Sequence, residues 1–239
     1  MKFLLEDRVP KFDFEFQLLA SIPFWKWKGC ELEVIYENDE SSKNVDVKSY
    51  CPVGSLEFCK RHGLTSLPRN IPPQLVKYAV GTVTNDITSR MLDGIARWHV
   101  KSASVIKHPD NGIYSINNLP PFNDYQAVEF KDRGFDSEYR VFVYNSNIVD
   151  IQNYAGDLWT LPDRSTVEHM IYDFEHAPGF KAPCAYTLDV GIYDGRTCIV
   201  EVHDFYSCGT YNFNDHYYLP LMLWSTWNLL SEFYARLKT

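Results

Sequence analysis

The sequence lacks the features that mark several large classes of protein. No run of apolar residues approaches the roughly 18 to 20 needed to cross a bilayer, and Glu6 and Asp7 come too early for a signal peptide. The six cysteines include no Cys-x-x-Cys pair, so we expect reduced structural thiols rather than a zinc site or a disulfide framework. We find no internal repeat and no low-complexity tract. These absences predict a globular protein of the cytoplasm that has no membrane partner.

An excess of basic residues is also missing. The chain has 23 lysines and arginines against 31 acidic residues, a net charge of −8 and a pI near 5.3. Sequence-independent binding of nucleic acid needs a basic surface that releases counterions, so we expect no nucleic-acid partner, although a local basic cleft is still allowed. What the chain does have is 239 residues that are 45% hydrophobic and 15% aromatic. This is enough for a full core, in one large domain or two small, closely joined ones.

The first third of the sequence predicts a small α/β layer. Residues 1–5 and 30–36 have the apolar pattern of strands, and residues 14–19 that of a helix. Three prolines then fall in the segment from Leu67 to Pro73, which is the best candidate for a domain boundary. We therefore expect a small α/β domain over residues 1–70 and a second domain over residues 71–239.

A short amphipathic helix is predicted after Ser55, which is a suitable N-cap, and it ends at Gly63. The backbone N–H groups of Gly54 and Ser55 stand at the start of this helix. They offer two readings, an anion site or a plain helix cap, and we favour the cap.

The strongest local signal is a β-hairpin near the end of the chain. Two alternating segments, which carry Asp189 in the first and Glu201 and His203 in the second, flank the turn Asp194-Gly195. Side chains two apart in a strand share a face, and Asp189 can lie opposite them across the ladder. Two carboxylates and an imidazole then converge as candidate ligands for a hard cation such as Mg²⁺ held with nucleotide phosphates. The alternative is a surface hairpin whose polar face simply meets water.

The middle of the chain adds candidate cations. Lys101 lies within a predicted strand and Lys107 shortly after it, so that each can neutralise a phosphate or remain an ordinary surface lysine. A second hairpin follows from Ser137, and its first strand places Glu138 and Arg140 on one face. These two residues allow either an internal ion pair or a phosphate-binding arginine.

In this order the motifs resemble the ATP-grasp superfamily, and within it the small RimK-like branch of bacteria and phages that is characterised by two arginines and a lysine. The resemblance covers residues 50–211 and rests on five weak motifs in the family's order. They are Cys51-Pro-Val-Gly-Ser-Leu-Glu-Phe, His99-Val-Lys-Ser-Ala-Ser-Val-Ile-Lys, Ser137-Glu-Tyr-Arg-Val-Phe-Val, Asn153-Tyr-Ala-Gly-Asp and Ile199-Val-Glu-Val-His-Asp-Phe-Tyr-Ser-Cys-Gly-Thr-Tyr.

The resemblance implies an α+β fold in which two α+β lobes grip ATP, behind a small α/β N-terminal layer. It implies an ATP- and Mg²⁺-dependent ligase that activates a carboxylate as an acyl phosphate for attack by an amine, with a peptide or protein among the candidate substrates. Phosphoryl transfer depends chiefly on positioning and charge neutralisation. If a phage encodes the chain, the resemblance places the protein in the host cytoplasm.

The same resemblance assigns roles to individual positions. Lys101 and Lys107 would touch the phosphates or the adenine, and Arg140 would steady the transferred phosphoryl group. Glu129 and Phe130 would form the hinge strand beside the adenine, and Glu138 would lie near the nucleotide. Asp189, Glu201 and His203 would hold Mg²⁺.

Two departures from the family pattern leave a second hypothesis open. His203 stands where the family usually has asparagine, and Gln152 and Asn153 stand where its second arginine is expected. Imidazole prefers softer metals than Mg²⁺, and one phosphate-binding charge is missing. The alternative is therefore a catalytically reduced binding module, such as a phage protein that engages a host factor.

The last segment, from Tyr217 to Tyr234, predicts a helix that is apolar around most of its circumference. We favour packing of this helix on the second lobe. Its aromatic positions, Trp224 and Trp227 among them, also allow a homodimer surface.

Overall fold

A computed structural model describes residues 1–7, 13–64, 70–87, 97–104, 108–115, 118–130, 134–206 and 208–237. The strands are β1 Lys2–Leu5, β2 Glu33–Tyr36, β3 Cys51–Val53, β4 Val83–Thr84, β5 Arg97–Ser102, β6 Gly112–Tyr114, β7 Tyr125–Phe130, β8 Ser137–Tyr144, β9 Asn147–Gly156, β10 Ala185–Tyr193 and β11 Arg196–Asp204. The α-helices are α1 Asp13–Trp27, α2 Leu56–Arg61, α3 Arg164–Glu175 and α4 Tyr218–Leu237.

The first sheet forms the predicted α/β layer. Its three parallel strands lie in the order β2-β1-β3. Parallel neighbours require a crossover connection, which α1 supplies between β1 and β2. Helix α1 is longer than the predicted 14–19, because buried Leu18, Ser21 and Trp25 continue one helical face. Strand β2 is shorter than predicted, since the N–H of Cys30 still bonds the carbonyl of Trp25 at the end of α1.

The second sheet carries the predicted lysine strand. It is antiparallel, in the order β4-β7-β5-β6, and Lys101 lies in β5. Trp98, Val100 and Ala127 are buried on one side of this sheet. Lys107 and residues 67–69 of the predicted boundary segment, which runs from Leu67 to Pro73, lie outside the described residues.

The third sheet contains both predicted hairpins. Its order is β11-β10-β8-β9, with antiparallel neighbours throughout. The turn between β10 and β11 places Asp194 at φ 51° and Gly195 at φ 70°, as an Asp-Gly hairpin turn requires. Helix α3 covers one face through a set of buried apolar side chains, namely Val167, Met170, Ile171 and Phe174 against Val141, Leu188, Val190 and Ile199.

The final helix, α4, packs against both the first and the third sheet. Leu219, Met222 and Leu223 of α4 share a hydrophobic cluster with Phe3 of the first sheet and Phe142 of the third. Core packing is therefore confirmed for residues 218–228 of α4, whose side chains the structure describes, while the homodimer and the division near residue 70 stay predictions. No helix in the described part of the chain has the length and apolar character needed to span a bilayer.

Candidate functional site

The face of the third sheet that helix α3 does not cover carries a cluster of charged side chains. Arg140 of β8 is in register with Asp189 of β10, and Asp189 is in register with Glu201 of β11. His203 lies two residues after Glu201 and therefore shares its face. Register thus brings four of the predicted site residues to adjacent positions on three neighbouring strands.

Arg140 and Asp189 form a buried, bidentate ion pair. The guanidinium donates from Nε to Oδ1 at 2.8 Å and from Nη2 to Oδ2 at 2.7 Å, and both side chains are 3% exposed. A third donor, Nη1, bonds the carbonyl oxygen of Gly209 at 2.8 Å. This two-pronged geometry is the strong form of a charge-assisted hydrogen bond.

The internal ion pair considered between Glu138 and Arg140 is wrong, because Arg140 pairs with Asp189 instead. The guanidinium takes Asp189 from the neighbouring strand, whereas Glu138 accepts a hydrogen bond from the hydroxyl of Tyr154 at 2.8 Å. Sharing a face with Arg140 did not make Glu138 its partner, because a residue directly across the ladder offers a closer one.

Glu201 links the third sheet to the second. Its Oε2 contacts Nζ of Lys101, and its Oε1 contacts Nε2 of His203. The imidazole Nε2 also lies 3.2 Å from Nη2 of Arg140 and 3.4 Å from Oδ2 of Asp189. One cationic side chain and two anionic side chains thus lie against one nearly buried histidine, and Lys101 lies beyond Glu201.

The pKa values of both carboxyl groups reflect this surrounding charge. Burial opposes ionisation of Asp189, but His203 and the Arg140 fork outweigh it and lower the pKa below its usual value. Burial likewise opposes ionisation of Glu201, while His203 and Lys101 hold its pKa well below the usual range. Both groups are therefore carboxylates at neutral pH, the form that a metal ion requires.

The same three residues have the geometry of a cation site. One ligand atom each from Asp189, Glu201 and His203 lies within 4.8 Å of the others. An ionised carboxylate has about four lone-pair sites, so Asp189 can accept the Arg140 fork and still offer an oxygen to a metal. The buried Nδ1 of His203 has no hydrogen-bond partner among the described residues. The donor set of two carboxylates and one imidazole suits a divalent cation.

A chain of polar and aromatic contacts borders the cluster. Burial raises the pKa of Glu138, which the hydrogen bond from Tyr154 only partly offsets. The ring of Tyr154 stacks on Tyr211 with centroids 4.7 Å apart, and the guanidinium of Arg140 lies 4.7 Å from the Tyr211 ring centroid.

The predicted hinge residues lie at the end of β7. Glu129 and Phe130 are half-buried there and pair in register with Trp98 and Arg97 of β5. The Phe130 ring lies 5.3 Å from that of Phe135 in an edge-on contact. The predicted hinge strand is thus adjacent to the strand of Lys101, and its adenine-binding role stays a prediction.

Gln152 and Asn153, which stand where the family's second arginine is expected, both lie on β9. Gln152 is in register with Arg140 on β9, and its amide donates to Oδ2 of Asp150 at 2.7 Å. Asn153 donates to Oγ of Ser137 at 2.9 Å. Neither side chain replaces the charge of a second arginine at the cluster.

Two of the alternatives raised by the sequence are decided by burial and contacts. The surface hairpin reading is wrong for Asp189 and His203, which are 2% and 3% exposed. The Ser55 cap is confirmed, since its Oγ accepts from the N–H of Phe58. Glu6 already occupies the helix start by accepting from the N–H of Ser55 at 2.7 Å, so the structure favours the cap over an anion site.

Three residues of the quoted motifs lie near the charge cluster, although the sequence patterns assigned them no role. His99 shares the face of Lys101, since the two are two apart in β5, and this spacing could have identified it. Tyr154 and Tyr211 come together only through the fold. No local pattern links two tyrosines in different strands and loops.

The comparisons with known proteins agree with the predicted fold. Residues 123–221 match the family model described as ATP-grasp domain, R2K clade family 2. This segment contains Arg140 and the metal candidates. No curated protein sequence matches the chain.

Solved structures resemble the chain along nearly its whole length. D-alanine–D-alanine ligase from Bacillus anthracis complexed with ATP has 12% identity and a TM-score of 0.52, covering 97% of this chain and 98% of that one. An ATP-grasp RimK domain protein from Sphaerobacter thermophilus has 11% identity, a TM-score of 0.51 and coverages of 95% and 97%. The ATP-grasp ligase PsnB complexed with a minimal precursor has 11% identity, a TM-score of 0.51 and coverages of 94% and 99%. The predicted α+β ATP-grasp fold is confirmed.

Proposed function

We propose that this chain, an ATP-grasp protein by its fold and by the family match of residues 123–221, is an ATP- and Mg²⁺-dependent carboxylate–amine ligase. In the proposed reaction a carboxylate attacks the γ-phosphorus of ATP, so that ADP leaves and an acyl phosphate forms. An amine then attacks the acyl carbon, phosphate departs with the C–O bond electrons, and the amine loses one proton.

The observation that carries the proposal is the buried charge cluster on the third sheet. Hydrophobic residues of similar volume commonly equal or exceed the stability of a buried ion pair, so a cluster of this kind is weak support for folding. Perturbed carboxyl groups that converge with an arginine and a lysine are typical of functional sites. Arg140, Lys101 and the Asp189 and Glu201 carboxylates form such a group.

The residues divide the work of phosphoryl transfer. Asp189, Glu201 and His203 would hold Mg²⁺, which neutralises phosphate charge when bound. Lys101 would move from Glu201 to a phosphate oxygen once the cation takes its place, and Arg140 would steady the transferred group. We place Lys107, Glu129, Phe130 and Glu138 around the nucleotide on the family resemblance.

The acceptor is proposed to be a peptide, a protein or a small amino compound. PsnB, which shares the fold, has been solved with a precursor, and this supports a peptide acceptor here. We expect residues 1–70 to form a separate layer that contributes to acceptor choice and residues 71–239 to supply the nucleotide site.

The proposal is tested first by a thermal shift with ATP, with and without Mg²⁺. A ligand that binds only the native state raises stability by about 2.7 kcal/mol at a concentration of 100 Kd. We expect a Mg²⁺-dependent rise in the wild type that is lost in Glu201→Gln. Asp194→Asn, at the exposed turn of the same hairpin, is the matched control and should behave as wild type.

Turnover is tested by ADP release with candidate acids and hydroxylamine as the amine. An acyl phosphate would give a hydroxamate, which a colour reaction detects. A wild type with no ATP response would contradict the ligase proposal and favour the catalytically reduced binding module, for which the uncharged Gln152 beside Arg140 is the supporting observation.

A further inference from the structure

After β11, the chain between Phe205 and Phe213 brings the ring of Tyr211 into contact with Arg140 of the charge cluster. Tyr211 and Asn212 have φ values of 48° and 78°, in the left-handed region that non-glycine residues rarely adopt. Two such residues in succession persist only where the surrounding structure holds them, and they concentrate at functional sites.

The two ends of this segment are fixed in the core. Phe205 and Phe213 are fully buried, and Phe213 stacks on Phe142 of β8 with centroids 4.3 Å apart. The N–H of Phe213 bonds the carbonyl oxygen of Thr210 at 2.9 Å, which closes a turn around Tyr211. The core thus determines where the Tyr211 ring lies.

The ring and its own loop hold the guanidinium of Arg140. Arg140 Cζ is 4.7 Å from the Tyr211 centroid, within the range of a cation–π contact, and Nη1 donates to the carbonyl oxygen of Gly209. The Tyr211 ring also folds over Gly209, where an added Cβ would lie 3.2 Å from Tyr211 Cζ. The Tyr211 ring also stacks on the ring of Tyr154, with an interplanar angle of 20°.

We propose that Tyr211 is a positioning residue, whose ring fixes the orientation of the Arg140 guanidinium through the cation–π contact. Its consequence for the phosphoryl group rests on the proposed function. Simple core packing does not account for Tyr211, because the residue is 40% exposed and its ring lies against the guanidinium of Arg140.

The first test observes Arg140 directly and needs no activity. In protein labelled with ¹⁵N at arginine, the Arg140 Nε–H signal is assigned by its loss in Arg140→Lys. In Tyr211→Leu we expect this signal to lose its ring-current shift and to exchange faster with water. Tyr211→Phe, which keeps the ring, should resemble wild type in exchange, as should Tyr172→Leu, which removes an exposed tyrosine of α3.

The second test separates positioning from binding. We expect Tyr211→Leu to lower kcat about 10- to 100-fold, the scale of a misplaced catalytic group, while the KM for ATP and the melting midpoint stay close to wild type. Tyr211→Phe should restore kcat. A merely structural role would instead lower the melting midpoint and leave kcat per folded molecule unchanged.

The outcomes of the two tests distinguish the two proposals. An Arg140 signal in Tyr211→Leu identical to wild type would overturn the positioning role, and so would a Tyr211→Phe variant as impaired as Tyr211→Leu. A wild type without ATP turnover but with an altered Arg140 signal in Tyr211→Leu would contradict the ligase and leave the positioning role standing.

Discussion

Both faces of the third sheet bury side chains around Asp189, but the two faces differ in their chemistry. On one face Leu188 and Val190 lie beneath helix α3 and are fully buried. On the other face Asp189, the residue between them, is 2% exposed and bonded to Arg140. Around Asp189 the faces therefore differ in how the buried groups are satisfied, by apolar contacts beneath α3 and by ion pairs on the opposite side.

This difference separates stability from activity within one sheet. Apolar burial stabilises in proportion to the area removed from water, whereas the desolvation of paired charges largely cancels their attraction. We therefore expect substitutions beneath α3 to change folding alone, and substitutions on the charged face to change activity most. Four predictions test this comparison.

The largest effect is expected for Asp189→Asn. The substitution leaves Arg140 buried without a negative partner, which costs about 3–5 kcal/mol of stability, and it removes a proposed metal ligand. We expect ATP turnover to be abolished in the protein that remains folded, measured after correcting for the folded fraction by denaturant titration. Asp194→Asn in the exposed turn is the control, and full turnover in Asp189→Asn would remove the charged face from the mechanism.

Met170→Ala tests the opposite face. Met170 is fully buried between α3 and the sheet, and truncation of a buried methionine costs about 2–5 kcal/mol. We expect the urea midpoint to fall while turnover per folded molecule stays unchanged. Glu168→Ala, on the exposed side of the same helix, should leave both quantities close to wild type. A large loss of specific activity in Met170→Ala would show that the two faces are not independent.

His99 of β5, in the second sheet near Lys101 and Glu201, adds a pH dependence of stability next to the charged face. Burial, with a smaller contribution from the nearby Lys101, lowers the pKa of His99 from 6.5 to about 4, against the opposing effect of Glu201. The folded state then binds fewer protons than the unfolded state between pH 4 and 6.5, so stability is fully present above pH 6.5 and is lost as pH falls toward 4.

His99→Gln should flatten this slope, since the amide does not titrate. The difference between the two proteins is expected to be at most about 3 kcal/mol across that pH range, measured by urea titrations at closely spaced pH values. Parallel stability curves for wild type and variant would contradict the half-buried, neutral state of His99.

The smallest effect is expected for Tyr186→Phe beneath α3. The Tyr186 hydroxyl donates to Oε1 of Glu175 at 2.9 Å, and loss of one such bond costs about 1 kcal/mol. We expect a small drop in the melting midpoint and no change in kcat or KM. A change in either kinetic constant would mean that the helix-covered face also influences the site.

Much of the local structure followed from the sequence alone. The Asp194-Gly195 turn requires positive φ, and the alternation of apolar and polar residues around it assigns Asp189, Glu201 and His203 to one face. The Ser55 cap and the Lys101 strand followed in the same way. These features depend on residues within a few positions of one another, so short-range sterics and periodicity determine them.

The tertiary structure decided which of these faces meet and what is buried there. Lys101 and Glu201 are 100 residues apart and lie in different sheets, yet they are in contact. The choice of Asp189 over Glu138 as the partner of Arg140 depends on strand order. The position of Tyr211 depends on two phenylalanines, Phe205 and Phe213, that are buried in the hydrophobic core. Periodicity fixes the face of a side chain, but only the packing of whole elements selects its neighbour across a sheet or between sheets.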